Sequence, residues 1–107
     1  MIKNYIDVHI REKITLEDIS NNLYISKSHI ERAFKKEYGI TPITYYANQR
    51  IAQVASMLVT TNYSLSQISQ QLGFSDVKYM SKSFKKIMGK APLQYKRDKL
   101  SQVNMVQ

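Results

Sequence analysis

Apolar residues recur along this chain in steps of three and four, and capping residues, glycine and proline interrupt the steps at intervals. Ile2, Tyr5, Ile6, Val8 and Ile10 predict a short first helix with one apolar face, ending near Glu12. Thr15, with Asp18 three residues on, is an N-cap candidate, and Leu16, Ile19 and Leu23 lay a stripe along a second short helix. Asn21-Asn22 and Tyr24-Ile25 fall where a turn is expected. Ser26 opens a third helix that turns Ile30, Ala33, Phe34 and Tyr38 inward before Gly39 ends it. Thr41-Pro42 restarts the chain with a cap and a proline at the first helical position. The longest uninterrupted pattern runs next, from Pro42 to about Thr60, through Ile43, Tyr46, Ala47, Ile51, Val54, Ala55 and Leu58. Ser64 with Gln67 has the form of a capping box, Leu65, Ile68 and Leu72 repeat the earlier stripe, and Gly73 breaks it. Ser75 is expected to cap a helix carrying Tyr79, Met80, Phe84 and Ile87 up to Gly89, and Ala91-Pro92 opens a final short helix with a polar, frayed tail after Leu100. The expectation is an all-α chain of about seven helices with no strand.

The pattern occurs twice. Leu16, Ile19, Ser20 and Leu23 return 49 positions later as Leu65, Ile68, Ser69 and Leu72. Phe34, Lys35, Lys36, Gly39, Pro42 and Tyr45 return 50 positions later as Phe84, Lys85, Lys86, Gly89, Pro92 and Tyr95. One residue has therefore been added to the second copy, between Ser75 and Phe84, where it is expected to shift the outward face of the second copy's helix. Two copies of one supersecondary unit are too few for a solenoid. They divide the chain into a first subdomain over 1–41, a linker helix over 42–60, a second subdomain over 61–100 and a tail over 101–107.

Composition narrows what such a pair can do. The 107 residues contain no cysteine, which removes disulfides, thiolate nucleophiles and cysteine-held zinc. His9 and His29 lie 20 residues apart with no ligand cluster around them, so no metal and no cofactor is expected. No stretch approaches the ~18 apolar residues of a membrane helix, and MIKNYIDVHIREK is not a signal peptide; a cytoplasmic chain with no membrane partner is the default. The formal charge of +8 points to a polyanion. It is unevenly spread: Val77 to Lys99 holds eight basic residues and one acidic one, Asp98.

Each copy is a short helix, a tight turn and a second helix rich in basic residues, which is the sequence shape of a helix-turn-helix. In each, the first helix supplies a small apolar face that fixes the second, and Ser20 and Ser69 are small enough to let the two helices approach. The outward side of the first copy's second helix shows Lys27, Ser28, His29, Glu31, Arg32, Lys35 and Lys36. The second copy shows Asp76, Val77, Lys78, Ser81, Lys82, Lys85 and Lys86. Residues in the first turns can reach base edges, and those further along suit phosphates. The eight tyrosines read as helix-packing residues with wet hydroxyls, not as a stacking platform. A bundle with solvated basic faces is the bland alternative, but it would not require matched turns.

GFSDVKYMSKSFKKIMGKAPLQYK resembles the second-motif signature of the AraC/XylS family of bacterial transcription regulators, with its Gly-Phe turn and its Phe-Lys-Lys, Gly, Pro and Tyr at set spacing. TYYANQRIAQVASML is similar to that family's linker helix, with Arg50-Ile51 at the usual Arg-Leu place. The resemblance runs from about Ile2 to Arg97. It implies two homeodomain-like helix-turn-helix subdomains, double-stranded DNA as partner with both recognition helices in the major groove, and RNA polymerase as a further partner. Family members commonly carry an N-terminal effector or dimerisation domain, and none is present in these residues. One departure stands out: Lys82 replaces a frequent Arg and lacks its planar fork, which loosens readout by the second helix.

Individual positions keep two readings. Ser28, His29 and Arg32 read as base contacts. Glu31 either accepts from a cytosine amine or repels phosphates, and Val77 either packs on a thymine methyl or is partly buried. For Lys35, Lys36, Lys85 and Lys86, phosphate contact stands beside a solvated helix end. Thr15, Thr41 and Ser64 either place helix N-termini against phosphates or simply cap, and Arg50 is either structural or a phosphate contact.

Rival functions are weaker. Some repair proteins of related architecture transfer alkyl groups to cysteine, but cysteine is absent here, and no Ser/His/Asp set, carboxylate pair or phosphate loop suggests an enzyme. An RNA- or membrane-surface-binding basic module would not need small residues in both helix-turn-helix slots. The 19 residues from Pro42 to Thr60 make a helix about 28 Å long, close to the ~34 Å between successive major-groove segments on one face of DNA. The linker helix is thus expected to act as a ruler. Inserting one residue near Ala55 rotates the second motif by about 100° relative to the first. It should abolish simultaneous binding to two half-sites in a gel shift, and undiminished two-site binding would refute the ruler.

Overall fold

A computed structural model describes residues 1–106, with side chains described through residue 102. Seven α-helices and no strand occur among the described residues: α1 (Ile2–Val8), α2 (Leu16–Leu23), α3 (Lys27–Tyr38), α4 (Pro42–Thr60), α5 (Leu65–Gln71), α6 (Val77–Met88) and α7 (Pro92–Val106). The chain forms two compact units, Met1–Arg50 and Ile51–Gln107. The division falls inside α4. The stretch expected as a linker is one helix, but its first half belongs to one core and its second half to the other.

In the first unit, α1 packs on α2 and α3 around Ile6, Ile14, Ile19, Ile30, Phe34 and Tyr46. Thr15 and Asp18 make a full capping box at α2, each side chain accepting from the other's backbone N–H (3.1 and 2.8 Å). The expected continuation of α1 to Glu12 does not occur. Carbonyls beyond Val8 are used elsewhere: Arg50 donates to Ile10 O at 2.9 Å and to Glu12 O at 3.2 Å, and the Tyr46 hydroxyl donates to Glu12 O. Tyr46 Oη in turn accepts from the Ile14 backbone N–H at 3.2 Å. Two side chains of α4 thus hold the α1–α2 connection in a non-helical path.

In the second unit, Ile51, Val54, Ala55, Met57 and Leu58 of α4 join Ile68, Leu72, Met80 and Phe84. Ser64 and Gln67 form the expected capping box. Asp76, not Ser75, caps α6, its Oδ1 accepting from the Tyr79 N–H at 2.6 Å. The carboxylate is the better cap because it also meets the positive end of the helix. α7 continues to Val106, past Leu100, where a polar tail was expected. Tyr38, Ile43, Tyr79 and Ile87, read as inward from spacing, are all exposed. So are Tyr24 and Tyr63, so half of the tyrosines lie at the surface, although Tyr38 and Tyr79 still set a ring against Phe34 and Phe74 (centroids 4.6 and 6.3 Å).

The two turns have different chemistry for one geometry. The Phe74 N–H donates to Ser69 O at 3.0 Å, and the Ile25 N–H donates to Ser20 O at 3.3 Å, 49 residues earlier. Between these anchors Gly73 takes φ 69°, and the residue at its place in the first copy is Tyr24 with φ 57°, the one non-glycine residue at positive φ among the described residues. Ser20 is more than a small spacer. Its Oγ donates to the Ile25 carbonyl at 2.6 Å and tightens the turn in which a bulky residue accepts a left-handed backbone.

Lys3, Asp7 and Tyr45 tie α1 to α4: Tyr45 Oη donates to Asp7 Oδ1 at 2.6 Å and Lys3 Nζ to Asp7 Oδ2 at 3.0 Å. Partial burial of Asp7 opposes its charge, but the hydrogen bonds from Tyr45 and Lys3 outweigh it and hold its pKa below the ordinary carboxylate value. A depressed pKa contributes stability that is complete above the unfolded value and is lost as pH falls through the folded one. Thermal melts should therefore show the wild type losing stability relative to Asp7→Asn from about pH 4 downward. Parallel acid profiles for the two proteins would remove the cluster from the stability of this unit.

Candidate nucleic-acid interface

α3 and α6 are the second helices of the two motifs. Each has 12 residues, an oxygen side chain at its N-cap and a glycine at its C-cap, Gly39 at φ 81° and Gly89 at φ 85°. One face is clamped inward, by Ile30 and Phe34 in α3 and by Met80 and Phe84 in α6. Phe34 meets Tyr45 and Phe84 meets Tyr95, with ring centroids 5.5 Å apart in both cases. The opposite face is thereby fixed toward solvent. It is centred on Ser28, Arg32 and Lys35 in α3 and on Lys78, Lys82 and Lys85 in α6, each set at i, i+4 and i+7.

The added residue does not shift this face. The turn anchors Ile25 and Phe74 are 49 residues apart, whereas the N-caps Ser26 and Asp76 are 50 apart. The extra residue is Ser75, absorbed in the turn before α6 begins. A constant offset of 50 therefore relates the two helices along their whole length, which corrects the expected change of face. It also exposes an omission. Tyr79 stands where His29 stands in α3 and is 57% exposed, whereas apolar spacing had placed it inside. The offset of 50 already visible at Phe34 and Phe84 was the signal that could have found it.

Lys27, Ser28, His29, Glu31, Arg32, Lys35 and Lys36 are all exposed on α3. Lys27 sits 3.9 Å from Glu17 of α2, and Arg32 Nε donates to the Ser28 carbonyl at 3.4 Å. On α6, Lys78, Lys82, Lys85 and Lys86 are exposed, while Val77 and Ser81 are half-buried. Asp76 is exposed but engaged as the N-cap. In both helices the last-turn lysines also lie at the negative end of the helix dipole. Thr15, Thr41 and Ser64 are engaged as caps, Thr41 Oγ1 accepting from the Thr44 N–H at 3.2 Å.

Arg50 is 5% exposed, its guanidinium against the Tyr46 ring at 5.1 Å and hydrogen-bonded to two carbonyls. Among the described residues there is no cluster able to hold a metal ion, and no helix is long and apolar enough to cross a membrane.

Two helix-turn-helix motifs, each with an outward basic helix, define a class of nucleic-acid-binding domain. A family model described as a helix-turn-helix domain matches residues 19–98. The chain belongs to this family, whose members similar to it are AraC-type transcription regulators. It is 31% identical over 93 residues to the uncharacterized HTH-type transcriptional regulator YisR of Bacillus subtilis, covering 87% of this chain and 32% of that protein. The chain spans about a third of the length of the curated relatives it matches. Among solved structures, the C-terminal domain of the response regulator AraT from Geobacillus stearothermophilus superposes with a TM-score of 0.87 at 32% identity, over 91% of this chain and 81% of that one. The DNA-binding domain of AdpA, solved with a target DNA, has the same fold at a TM-score of 0.86 and 22% identity, over 94% and 91% of the two chains.

Arg50→Ala should leave the carbonyls of Ile10 and Glu12 without their charged donor and lower stability by about 2–3 kcal/mol in urea unfolding. A structural Arg50 leaves the salt dependence of DNA binding unchanged. A slope shallower by about one unit would instead identify a phosphate contact.

Proposed function

We propose that this chain is the sequence-specific, double-stranded-DNA-binding part of a bacterial transcription regulator, and that each recognition helix, α3 and α6, enters a major-groove segment. One observation carries the reading. Two exposed basic helix faces recur in one register, 50 residues apart, each on a helix whose opposite side is locked into its own core. A merely solvated face would need no such matched clamps. The functional division is a first reading head over 1–41, the helix 42–60, and a second head over 61–100.

Side-chain chemistry assigns the roles. Arg32 offers the planar fork that grips guanine O6 and N7, with Ser28 and His29 beside it. Glu31 selects against phosphate and for an exposed amine. Lys35, Lys36, Lys85 and Lys86 serve phosphates, Arg50 is structural, and Thr15, Thr41 and Ser64 are caps. Tyr79 and Val77 add apolar contact on α6. The chain works by binding and not by catalysis, in the cytoplasm, with RNA polymerase as its proposed protein partner.

Selection from random duplex DNA, scored for two half-sites about one helical turn apart, should return a preferred sequence at one or both, and a gel shift should favour that duplex over single strands and RNA. Equal affinity for all three would sink the reading. Arg32→Ala should cost about 1–3 kcal/mol at one base pair and relax preference there. An unchanged preferred sequence and affinity would show that α3 does not read bases through Arg32.

A further inference from the structure

The two units share a fold but not a charge. Met1–Arg50 carries eight Lys and Arg against six Asp and Glu, whereas Ile51–Gln107 carries eight against two, so the nets are +2 and +6. Both acids of the second unit are occupied: Asp76 caps α6, and Asp98 takes Lys90 at 2.7 Å and Gln94 at 2.8 Å. Among the described residues, none of the α6 lysines has an ion-pair partner. On α3 the same register holds Ser28 and Arg32 where α6 has Lys78 and Lys82. The acids Glu31 and Glu37 stand where α6 has Ser81 and Ile87.

We propose, resting on the DNA-binding reading above, that the two units divide the work: α6 is a sequence-tolerant electrostatic anchor for the DNA backbone, and α3 supplies most of the discrimination between sequences. Lysine is a strongly hydrated point charge on a flexible stem and suits a phosphate at almost any angle. Three of them at i, i+4 and i+7 make a line of charge that lacks the planar donor fork of arginine and any acceptor, so it discriminates base pairs weakly. The outer face of α3 carries the opposite set. It has a fork, a hydroxyl, an imidazole and a carboxylate, the last of which penalises contact with phosphate wherever a base amine does not compensate. Backbone contacts position and base contacts specify. An anchor of this kind holds the protein on any duplex while the α3 face samples sequence.

The test uses the full chain, with Kd measured by fluorescence anisotropy on the selected duplex and on a scrambled one across a salt series. In the triple variant Lys78→Gln/Lys82→Gln/Lys85→Gln, both duplexes should lose affinity by the same factor, and the salt slope should flatten by about 2.7 units. That equals about 40-fold less change in Kd between 50 and 200 mM salt. The ratio of the two Kd values should stay within about twofold. Lys78→Arg/Lys82→Arg/Lys85→Arg, which keeps the charge, should restore the slope and so separates loss of charge from loss of fold. Arg32→Gln should instead shrink the ratio between the duplexes while leaving most of the affinity for the scrambled one. A glutamine triple that loses affinity chiefly for the selected duplex would overturn the proposal, since α6 would then read bases. An unchanged slope would also overturn it, since the lysines would then be merely solvated. Failure of the wild type to prefer any duplex is a separate outcome that refutes the sequence-specific reading itself.

Discussion

Each recognition helix is held by one buried phenylalanine, Phe34 in α3 and Phe84 in α6. Truncating an aromatic side chain at such a site costs about 3–5 kcal/mol, a large share of what a small unit has. The ring faces two ways. It seals the contact with the preceding short helix through Ile19 or Ile68, and it meets a tyrosine of the following helix, Tyr45 or Tyr95. With that side fixed, rotation of the helix about its axis is fixed, and so is which side chains reach outward. The outward faces are free to differ because nothing in the core depends on them.

The first unit needs more than this anchor. Its α1–α2 connection is irregular backbone, and its inward carbonyls, Ile10 O and Glu12 O, face the core side of α4, where carbonyls without partners would be costly. Tyr46 and Arg50 satisfy them. Fifty residues on, the same places hold Lys96 and Leu100, so no such pair recurs in the second unit. Arg50 thus spends its hydrogen bonds on the inner side of the α1–α2 connection. Its charge suggested a phosphate or a structural role; in the structure the guanidinium is enclosed by protein and hydrogen-bonded to two carbonyls.

Most elements were legible in the chain because period, cap and stop agreed. Thr15–Asp18 and Ser64–Gln67 were readable as reciprocal caps, Gly39 and Gly89 as stops, and Pro42 as the start of the long helix. The errors came from places where local chemistry offers two answers. Ser75 and Asp76 can both cap, and the stronger acceptor won. Tyr79 and Ile87 fit an apolar period, but the apolar stripe of α6 is filled by Met80 and Phe84, which leaves them outside. Tyr24 occupies a backbone conformation that glycine serves in the other copy. The hydrogen bonds that hold it, from Ser20 Oγ to the Ile25 carbonyl and from the Tyr24 N–H to the Ser20 carbonyl, are not visible in one residue's identity.

Taken alone, the sequence determined the repeat, the helical class, the two basic faces and the family they resemble, because each of these is written in spacing and residue type over a few turns. It could not decide where the extra residue goes: the repeat pointed between Ser75 and Phe84, but an insertion anywhere between Leu72 and Phe84 leaves the same letters, and the structure puts it at Ser75 itself. The turn absorbed it, because a turn can lengthen without disturbing a hydrogen-bond ladder, whereas a helix cannot gain a residue without rotating everything beyond it by about 100°. Tertiary structure therefore set the register between the two reading faces. It also set which of the many cations are exposed and which, like Arg50, are spent inside.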